Sequence, residues 1–497
     1  MGKNIFISIF LCALIINSQN TRFGRVIGQT PDGLPVLQST PRLRLKPCQV
    51  PNLKEEVLCG TYEVYENRDA RKGRKISLNI VVLPALSSTP APDPLFALAG
   101  GPGQAATAGA ANDAQRFASI RRLRDIVLVD QRGTGRSNPL DCDLGNPDDA
   151  LKVFVIGDIP IEQVKQCRQK LEKNADLRLY TTPIATDDLD EVRKWLGYEQ
   201  INVYGGSYGT RAALVYLKRH PKQVRTVTLR AVSSTSEKNP LYNPRDSQLS
   251  LNRLFDDCAK DEGCAKAFPD LRQDFQTVLD HLTQSPAKIN VKNPQTGQMF
   301  EISITRDLFA GAVRRLLYDS GSQRIIPLII KSALNNDFSQ LASVFSQTLG
   351  LVNSLNLGLN LSVNCAEDVS LISQKDIARE TKGTFLGPII VQSLVKVCQE
   401  WSIGKLPGGF NRPIKSDVPV LLFSGVLDPQ SPPSRGAEVS RHLPNSLHVI
   451  MEGIAHAPFP NCASNIMSEF VVKGSTGELD LSCSKELRRP QFVLPPK

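Results

Sequence analysis

Short apolar runs alternate along this chain with longer stretches in which apolar residues recur at helical spacing. The first two runs, at 61–66 and 76–83, predict an antiparallel meander. Further strands are predicted at 95–99, 126–130, 201–204, 224–229, 418–423 and 447–451, with helices between several of them at 111–122, 186–196 and 208–220. This alternation is typical of an α/β fold, and we expect a mostly parallel eight-stranded sheet with helices on both faces.

The alternation stops between about 236 and 412, where the pattern becomes mainly helical. Helices are predicted at 249–258, 265–282, 307–318, 325–335, 338–347 and 389–398, with one hairpin-like piece at 289–304. We expect this segment to form a cap that is inserted after the sixth strand and stands over the catalytic edge of the sheet. The predicted segments are a signal peptide at 1–18, a lead-in at 19–47, the core at 48–235 and 413–490, the cap at 236–412 and a tail at 491–497.

The first eighteen residues have the features of a secretory signal. Lys3 precedes an apolar stretch at 5–16 that is too short to span a bilayer, and no later segment contains eighteen consecutive apolar residues. A secreted or periplasmic protein without a stable membrane anchor is therefore expected. The net charge of +10 is spread along the chain, and its densest cluster, at 121–124, lacks interleaved aromatic residues. This pattern favours a solvated basic surface over a nucleic-acid site.

The cysteines indicate disulfide bonds. Removal of a signal would take away Cys12 and leave an even number of cysteines in an exported chain. Because no C-x-x-C pair is present, structural disulfides are favoured over a metal site. We predict sequential pairing: Cys48 with Cys59, Cys142 with Cys167, Cys258 with Cys264, Cys365 with Cys398, and Cys462 with Cys483.

Residues 205–209 read G-G-S-Y-G, a G-x-S-x-G pentapeptide. The pattern also arises by chance in chains of this length, so its context decides. Here it follows the predicted strand at 201–204 and opens the predicted helix at 208–220. A serine on such a sharp strand-to-helix turn exposes its hydroxyl where a histidine can reach it. Ser207 is therefore the candidate nucleophile.

A serine nucleophile needs a base and a group that orients the base, and with this turn the chain order is serine, acid, histidine. Of the five histidines, only His456 lies in a loop directly after the last predicted strand. The others fall on helices, at helix ends or within a strand: His220, His281, His442 and His448. We assign His456 as the base.

The acid is expected in the loop after the penultimate strand, and Asp428 occupies that place. The alternative is an aspartate that caps the helix beginning near Pro432. The interval from Asp428 to His456 leaves room for one helix and one strand, which favours the catalytic interpretation.

An oxyanion intermediate requires backbone N–H donors. Tyr208, the residue after the nucleophile, supplies the first. The second is expected in the glycine-rich loop at 99–104, where Pro102 has no N–H, so Gly101 is the candidate. A phosphate-binding interpretation of this loop is weak, because the G-x-x-x-x-G-K-[ST] pattern is absent.

Four elements together, G-G-P-G at 100–103, D-Q-R-G-T-G-R-S at 130–137, the Ser207 turn, and Asp428 with His456, resemble the secreted tripeptidyl aminopeptidase branch of the proline-iminopeptidase-like serine peptidases. The resemblance covers roughly 45–490, including the cysteine spacing and the segment 480–483, and it implies an α/β-hydrolase fold. Ala99 stands where proline iminopeptidases carry histidine, which favours the tripeptidyl branch. Ala455 replaces the usual glycine before the catalytic histidine.

The resemblance implies release of short N-terminal units from peptides, with the cap measuring their length. An exopeptidase must bind a free ammonium group, so a carboxylate is expected near the cap. Glu367 is the candidate, with Asp368 beside it; the alternative is that both are solvated loop charges. Arg132 and Arg136 are expected to brace the turn after the fourth strand.

The sequence therefore predicts a serine hydrolase in which Ser207 attacks, His456 carries the proton, Asp428 orients His456, and Gly101 with Tyr208 holds the oxyanion. No metal or organic cofactor is expected, and the expected partners are peptide substrates of a monomeric enzyme. A carboxylesterase with the same triad is the first alternative. A non-catalytic binding protein is the second, and it would be expected to lack a triad residue or to have a blocked oxyanion loop.

Overall fold

A computed structural model describes residues 44–495. The predicted signal peptide and most of the predicted lead-in lie outside these residues. The last part of the lead-in segment already belongs to the first strand.

The strands form one large sheet and one small hairpin. Their bounds are β1 Lys46–Cys48, β2 Val57–Tyr65, β3 Lys75–Leu83, β4 Leu95–Leu98, β5 Ile126–Val129, β6 Ile201–Gly206, β7 Val224–Arg230, β8 Ala287–Lys292, β9 Met299–Ile304, β10 Val420–Gly425 and β11 Ser446–Met451. The large sheet has the order β1-β2-β3-β5-β4-β6-β7-β10-β11, and β8 pairs with β9. From β5 to β11 neighbouring strands are parallel, whereas β1, β2, β3 and β5 pair antiparallel.

All eight predicted strands of this sheet are present, and the structure adds β1. This strand has only three residues, with Pro47 in the middle, so it carries no alternation that a sequence pattern could reveal. Proline is tolerated there because β1 is an edge strand that pairs only with β2.

The helices bracket the sheet and build the cap. Their bounds are α1 Ala110–Arg116, α2 Ala118–Arg121, α3 Pro147–Ile156, α4 Ile161–Leu171, α5 Thr182–Leu196, α6 Tyr208–Arg219, α7 Asn243–Lys260, α8 Glu262–Ala267, α9 Leu271–Gln284, α10 Arg306–Leu317, α11 Ser320–Gln323, α12 Ile326–Leu334, α13 Ser339–Leu351, α14 Leu357–Glu367, α15 Gln374–Thr381, α16 Ile389–Gln399, α17 Pro433–Ser440 and α18 Asn461–Lys473.

The sheet is buried on both faces because its central strands are apolar throughout. β5 reads I-V-L-V and is fully buried. On one face Val192 of α5 and Leu214 of α6 pack against the sheet. On the other face Phe117 and Phe470 of α18 do so. The Ser207 turn is therefore held between two packed layers.

Two predicted helices differ from the observed ones. The predicted 111–122 helix is interrupted at Phe117, whose φ of −104° and ψ of 18° leave the helical range. The predicted 265–282 helix is two helices, because the chain turns between Phe268 and Asp270.

The sequence pattern missed α3, α4, α11, α14, α15 and α18. The helices α3 and α4 lie within the predicted core segment, yet they pack into the same apolar cluster as the cap. A Cβ on Gly311 of α10 would lie 2.7 Å from the Val155 carbonyl oxygen, so the two helices approach as closely as a glycine permits.

Five disulfide bonds join the cysteine pairs that the sequence analysis predicts: Cys48–Cys59, Cys142–Cys167, Cys258–Cys264, Cys365–Cys398 and Cys462–Cys483. Such bonds are typical of extracytoplasmic proteins. Between residues 44 and 495, none of the helices combines the length and the apolar composition needed to cross a bilayer.

Candidate active site

The predicted catalytic residues lie at one edge of the sheet. Ser207 directly follows β6, Asp428 lies just after β10, and His456 follows β11. These strands are parallel and close together in the sheet order, so their carboxyl ends meet. In open α/β sheets this edge is where ligands bind.

The turn at Ser207 is sharply folded. Ser207 has a φ of +55° and a ψ of −125°, a conformation that side-chain-bearing residues rarely adopt. A Cβ on Gly205 would lie 2.2 Å from the Gly209 oxygen, and one on Gly209 would lie 2.5 Å from the Leu98 oxygen. Both flanking glycines are therefore required by the close approach of neighbouring backbone. The turn is fixed by the Ser207 N–H, which donates to the Arg230 carbonyl at 2.9 Å.

His456 and Asp428 form a direct pair. The Nδ1 atom of His456 lies 2.9 Å and 3.1 Å from the two carboxylate oxygens of Asp428. The N–H groups of Gln430 and Ser431 donate to the same carboxylate at 2.8 and 2.9 Å. Burial favours a higher pKa for Asp428, but His456 and these two donors together hold its pKa below the usual value. Asp428 is therefore an ionised partner for His456.

The alternative role of Asp428 as a helix cap does not match the geometry. The helix α17 has Pro432 at its N-cap and receives no side-chain capping bond. The two backbone bonds to Asp428 instead close a turn that points its carboxylate at His456.

Within residues 44–495, the hydrogen bonds include none from the Ser207 hydroxyl to His456. Catalytic hydrogen bonds are often long without substrate and tighten in the substrate complex. On its other side, the His456 ring packs edge-on against Tyr318, with ring centres 5.2 Å apart.

The predicted oxyanion donors line one cavity with the nucleophile. Gly101 and Tyr208 border a cavity together with Ser207. Gly101 has a φ of +110°, which glycine adopts without strain. Tyr208 is the first residue of α6, so its N–H lies at a helix N-terminus, where backbone donors are free for an anion.

Helix α14 of the cap holds the oxyanion loop from above. Asn360 donates to the Pro102 carbonyl at 2.9 Å, and the Asn356 N–H donates to the Gly103 carbonyl at the same distance. Asn364 donates to the Asn360 side chain at 2.9 Å. Asp368, directly after the helix, forms a two-pronged ion pair with Arg211 of α6, at 2.7 and 2.8 Å.

These four cap residues recur every fourth position, which places them on one helix face. The sequence analysis missed this row because it treated the segment as connecting chain. The available signal was the spacing of Asn356, Asn360, Asn364 and Asp368 within an otherwise apolar stretch.

The catalytic histidine loop is also bonded to the cap. The Ala457 N–H donates to the Tyr318 carbonyl at 2.8 Å, and the Ser320 N–H donates to the Ala457 carbonyl at 3.0 Å. The Ser320 hydroxyl accepts from the Ala455 N–H at 2.8 Å. The residues on both sides of His456 are therefore fixed to the segment after α10.

The structure places Glu367, the predicted amine contact, away from the cavity lining. Glu367 is 1% exposed, and its carboxylate accepts from the Thr182 N–H at 2.7 Å and the Thr182 hydroxyl at 2.9 Å. Burial raises the pKa of Glu367 to about 7 against the opposing effects of Arg211 and Thr182. These bonds occupy both carboxylate oxygens, so Glu367 joins the cap to the core instead of facing a substrate. Neither Glu367 nor Asp368 is a solvated loop charge.

The carboxylates that border the cavity are Glu237 and Asp368. Glu237 is 4% exposed, and among the described residues its Oε2 atom accepts no hydrogen bond. The nearest guanidinium nitrogen, Nε of Arg435, is 3.9 Å from the other oxygen. Burial raises the pKa of Glu237, with opposing effects from Arg435 and Arg211. A buried carboxylate oxygen without a donor is a place for a positively charged ligand group.

The two predicted bracing arginines differ. Arg132 is fully buried, donates to the Asp188 carboxylate at 2.6 and 2.9 Å, and also donates to backbone carbonyls. The side chain of Arg136 is exposed, and only its backbone N–H contributes, by donating to Asp130 at 3.2 Å. The bracing interpretation is therefore wrong for the Arg136 side chain, because Asp130 is satisfied by backbone and threonine donors.

In the part of the chain that the structure describes, no group of three or more histidine, cysteine or acidic side chains is arranged to hold a metal ion.

Profiles of two families match separate parts of the chain. One described as "alpha/beta hydrolase fold" matches residues 116–267, which contain the Ser207 turn. One described as "TAP-like protein" matches residues 384–483, which contain Asp428 and His456.

Relatives carry peptidase names. The chain is 22% identical over 515 residues to serine protease Hip1 of Mycobacterium tuberculosis, with 95% of this chain and 94% of that protein covered. It is 30% identical over 154 residues to tripeptidyl aminopeptidase of Streptomyces lividans, with 29% of this chain and 28% of that protein covered. Among solved structures, proline iminopeptidase of Mycobacterium smegmatis aligns with a TM-score of 0.42 and 15% identity, over 84% of this chain and 98% of that one.

The predicted fold and family resemblance are thus confirmed by the sheet order and the two profile matches, and the chain is a hydrolase of the α/β type. It has the α/β-hydrolase fold, and it is similar to TAP-like and peptidase-named proteins.

Proposed function

We propose that this protein is a serine exopeptidase that removes short N-terminal units from peptides through an acyl-enzyme. In the proposed mechanism the Ser207 hydroxyl attacks the scissile carbonyl while His456 accepts its proton. Asp428 holds the Nδ1–H of His456, which leaves Nε2 free to face the serine. The N–H groups of Gly101 and Tyr208 stabilise the oxyanion. His456 then protonates the leaving amine, and a water molecule repeats the sequence to release the acyl unit.

The observation that carries the exopeptidase proposal is the buried Oε2 atom of Glu237, which is unpaired among the described residues, because Glu237 borders the same cavity as Ser207. Asp368 borders the same cavity. The two nearby arginines are shared with other carboxylates: Arg211 also pairs with Glu367, and Arg435, 3.9 Å from Glu237, pairs with Asp246 at 2.8 Å. An N-terminal ammonium group placed here would satisfy the free oxygen and offset the excess negative charge. An acyl ester has no group that would do so.

The test compares three substrates on three enzymes. The substrates are a tripeptide anilide with a free amine, its N-acetylated counterpart and a short-chain ester. The enzymes are wild type, Glu237→Gln, and Glu367→Gln as a control with the same side-chain replacement outside the cavity. Wild type should prefer the free amine. Glu237→Gln should reduce kcat/KM for that substrate by about ten-fold or more, through KM, and leave the ester rate unchanged.

Two results would contradict the proposal. Wild-type preference for the ester or the acetylated peptide would favour a carboxylesterase instead. An equal loss in Glu367→Gln and Glu237→Gln would mean that Glu237 acts only through the stability of the cap–core contact.

Secretion is part of this proposal, and the five disulfide bonds support it. Expression of the full chain in a bacterium, followed by fractionation and mass measurement of the N-terminus, tests it. Protein that stays in the cytoplasm with residues 1–18 attached would contradict secretion.

A further inference from the structure

Two neighbouring arginines at the end of α10 have no acidic partner among the residues that the structure describes. Arg314 and Arg315 are half-buried, and among residues 44–495 no carboxylate oxygen lies within 4 Å of either guanidinium. The Nε atom of Arg314 is buried and makes no hydrogen bond there. Arg315 makes none with any of its donors, and burial with the adjacent Arg314 lowers its pKa. Two like charges that are partly removed from water are costly unless an anion joins them.

Both arginines surround the tyrosine that contacts the catalytic histidine. The guanidinium carbons of Arg314 and Arg315 lie 5.1 and 5.6 Å from the ring centre of Tyr318. Arg314 donates to the Tyr318 hydroxyl at 2.7 Å and to the Gln430 side chain at 2.8 Å. Gln430 borders the cavity of Ser207. The pair therefore stands beside the site, on the side of His456.

This side is where the leaving fragment belongs. In the proposed mechanism His456 delivers its proton to the departing amine, so that fragment must pass along the histidine ring. The acidic residues Glu237 and Asp368, by contrast, lie on the side of Arg211. This arginine belongs to α6, the helix that begins directly after Ser207. Acidic residues thus border the cavity beside Ser207, whereas the arginine pair stands behind Gln430 and Tyr318, on the side of His456.

We propose that Arg314 and Arg315 form an anion-binding subsite for a carboxylate on the leaving fragment. This inference rests on the proposed function. It implies that the preferred substrates are short peptides with a free carboxylate just after the scissile bond. Guanidinium groups bind carboxylates through two parallel hydrogen bonds, and Arg315 has its whole donor set free for this. A peptide with an ammonium group at one end and a carboxylate at the other matches the acidic cavity lining on one side of the site and the arginine pair on the other.

The test uses substrates with one acyl unit and different leaving fragments. A tetrapeptide ending in alanine is compared as the free acid and as the amide, and a third peptide ends in glutamate amide. We expect Arg315→Gln to raise KM for the free acid by about ten-fold or more and to leave the alanine amide unchanged. Arg315→Lys should restore part of the preference, because it keeps the charge. Arg272→Gln, which removes an exposed charge on α9, is the control.

The glutamate amide distinguishes the two sources of a carboxylate. If it responds to Arg315→Gln as the free acid does, the subsite binds any carboxylate of the leaving fragment. If it behaves like the alanine amide, the subsite reads the chain terminus. Equal KM changes for all three peptides would overturn the proposal, as would a wild-type enzyme that does not distinguish the free acid from the amide.

An ester pair separates this inference from the proposed function. Acetate esters of 4-hydroxybenzoate and of 4-hydroxybenzamide differ by a carboxylate on the leaving group and need no peptidase activity. The wild-type kcat/KM is divided by that of Arg315→Gln for each ester, so that the ester's own reactivity cancels. This ratio should be larger for the benzoate ester, because its leaving group carries the carboxylate that Arg315 is proposed to bind. If the benzoate ester gives the larger ratio but the enzyme hydrolyses none of the peptides, the exopeptidase proposal is rejected and the subsite is kept. The opposite outcome is that the two esters give equal ratios, while the peptides are hydrolysed with no preference for a free carboxylate. That outcome would reject the subsite and keep the exopeptidase proposal.

Discussion

The parallel sheet and the helical cap reach the same cavity by different means. The sheet presents its groups on short turns after strands, and the Ser207 turn is so closely packed that only glycine fits at positions 205 and 209. The cap contributes from helix faces and helix ends, through the row from Asn356 to Asp368 and through the segment at 318–320. The groups that form and break bonds thus come from the sheet. The cap supplies the bonds that hold their loops and the charges around the substrate.

The largest effect is expected when the nucleophile, which the sheet contributes, is removed. Ser207→Ala should lower kcat/KM by about four to six orders of magnitude, because the remaining histidine and oxyanion donors cannot form the acyl-enzyme. The cap contacts do not involve the Ser207 hydroxyl, so the thermal melt should stay unchanged. Activity that survives this change would mean that another residue is the nucleophile.

The next effect compares two disulfide bonds within the cap. Replacing Cys365 and Cys398 by serine opens a link across 33 residues, whereas Cys258 and Cys264 are only 6 apart. From loop entropy the expected losses of unfolding free energy are about 4 and about 2 kcal/mol. Denaturant titration of the two double variants measures the difference. Equal losses would show that the cap does not gain stability from closing the longer loop.

A smaller effect tests whether the cap holds the catalytic histidine. Ser320→Ala removes the acceptor of the Ala455 N–H and leaves that buried donor unpaired, which costs about 1–3 kcal/mol. We expect kcat to fall by about ten-fold with little change in KM. Ser322→Ala on the same short helix is the control, since only backbone atoms of Ser322 are bonded: its N–H donates to Asp319, and its carbonyl accepts from the Ile325 N–H. Identical kinetics for both variants would contradict the coupling.

The smallest effect is a pH dependence at the contact between cap and core. Because the pKa of Glu367 is raised to about 7 in the folded protein, folding binds a proton between pH 4.5 and 7. Its contribution to stability is complete below pH 4.5 and disappears as the pH rises through 7. The melting temperature of wild type, relative to Glu367→Gln, should therefore fall by a few degrees between pH 5 and 8.

A core residue sharpens this pH comparison. Burial raises the pKa of Asp113 in α1 to about 6. The melting temperature of wild type, relative to Asp113→Asn, should also fall as the pH rises. This fall should end about one pH unit lower than the fall measured relative to Glu367→Gln. Coinciding profiles would mean that neither carboxylate is responsible for its transition.

The sheet was predictable because its information is local. Each strand is a short apolar run, and Ser207, Asp428 and His456 each follow one in the order that the turn motif requires. The strand β1 escaped because three residues with a central proline have no pattern. These features do not depend on which distant residues come together.

The cap was predictable only as a set of helices. Glu367 and Asp368 are adjacent in sequence, and no local feature shows that only Asp368 borders the cavity while Thr182 occupies Glu367. The sequence likewise does not show that Glu237 and Arg315 have unpaired polar atoms among the described residues. This property is visible only in the folded structure. Long-range packing decides such properties, and one sequence does not encode it in any short window.

The bonds between 318–320 and 455–457 limit how a substrate can enter. A lid that swung away as one body would pull the general base out of line with Asp428, since both neighbours of His456 are tied to it. The cap segment at 318–320 must therefore stay joined to the histidine loop while a substrate enters.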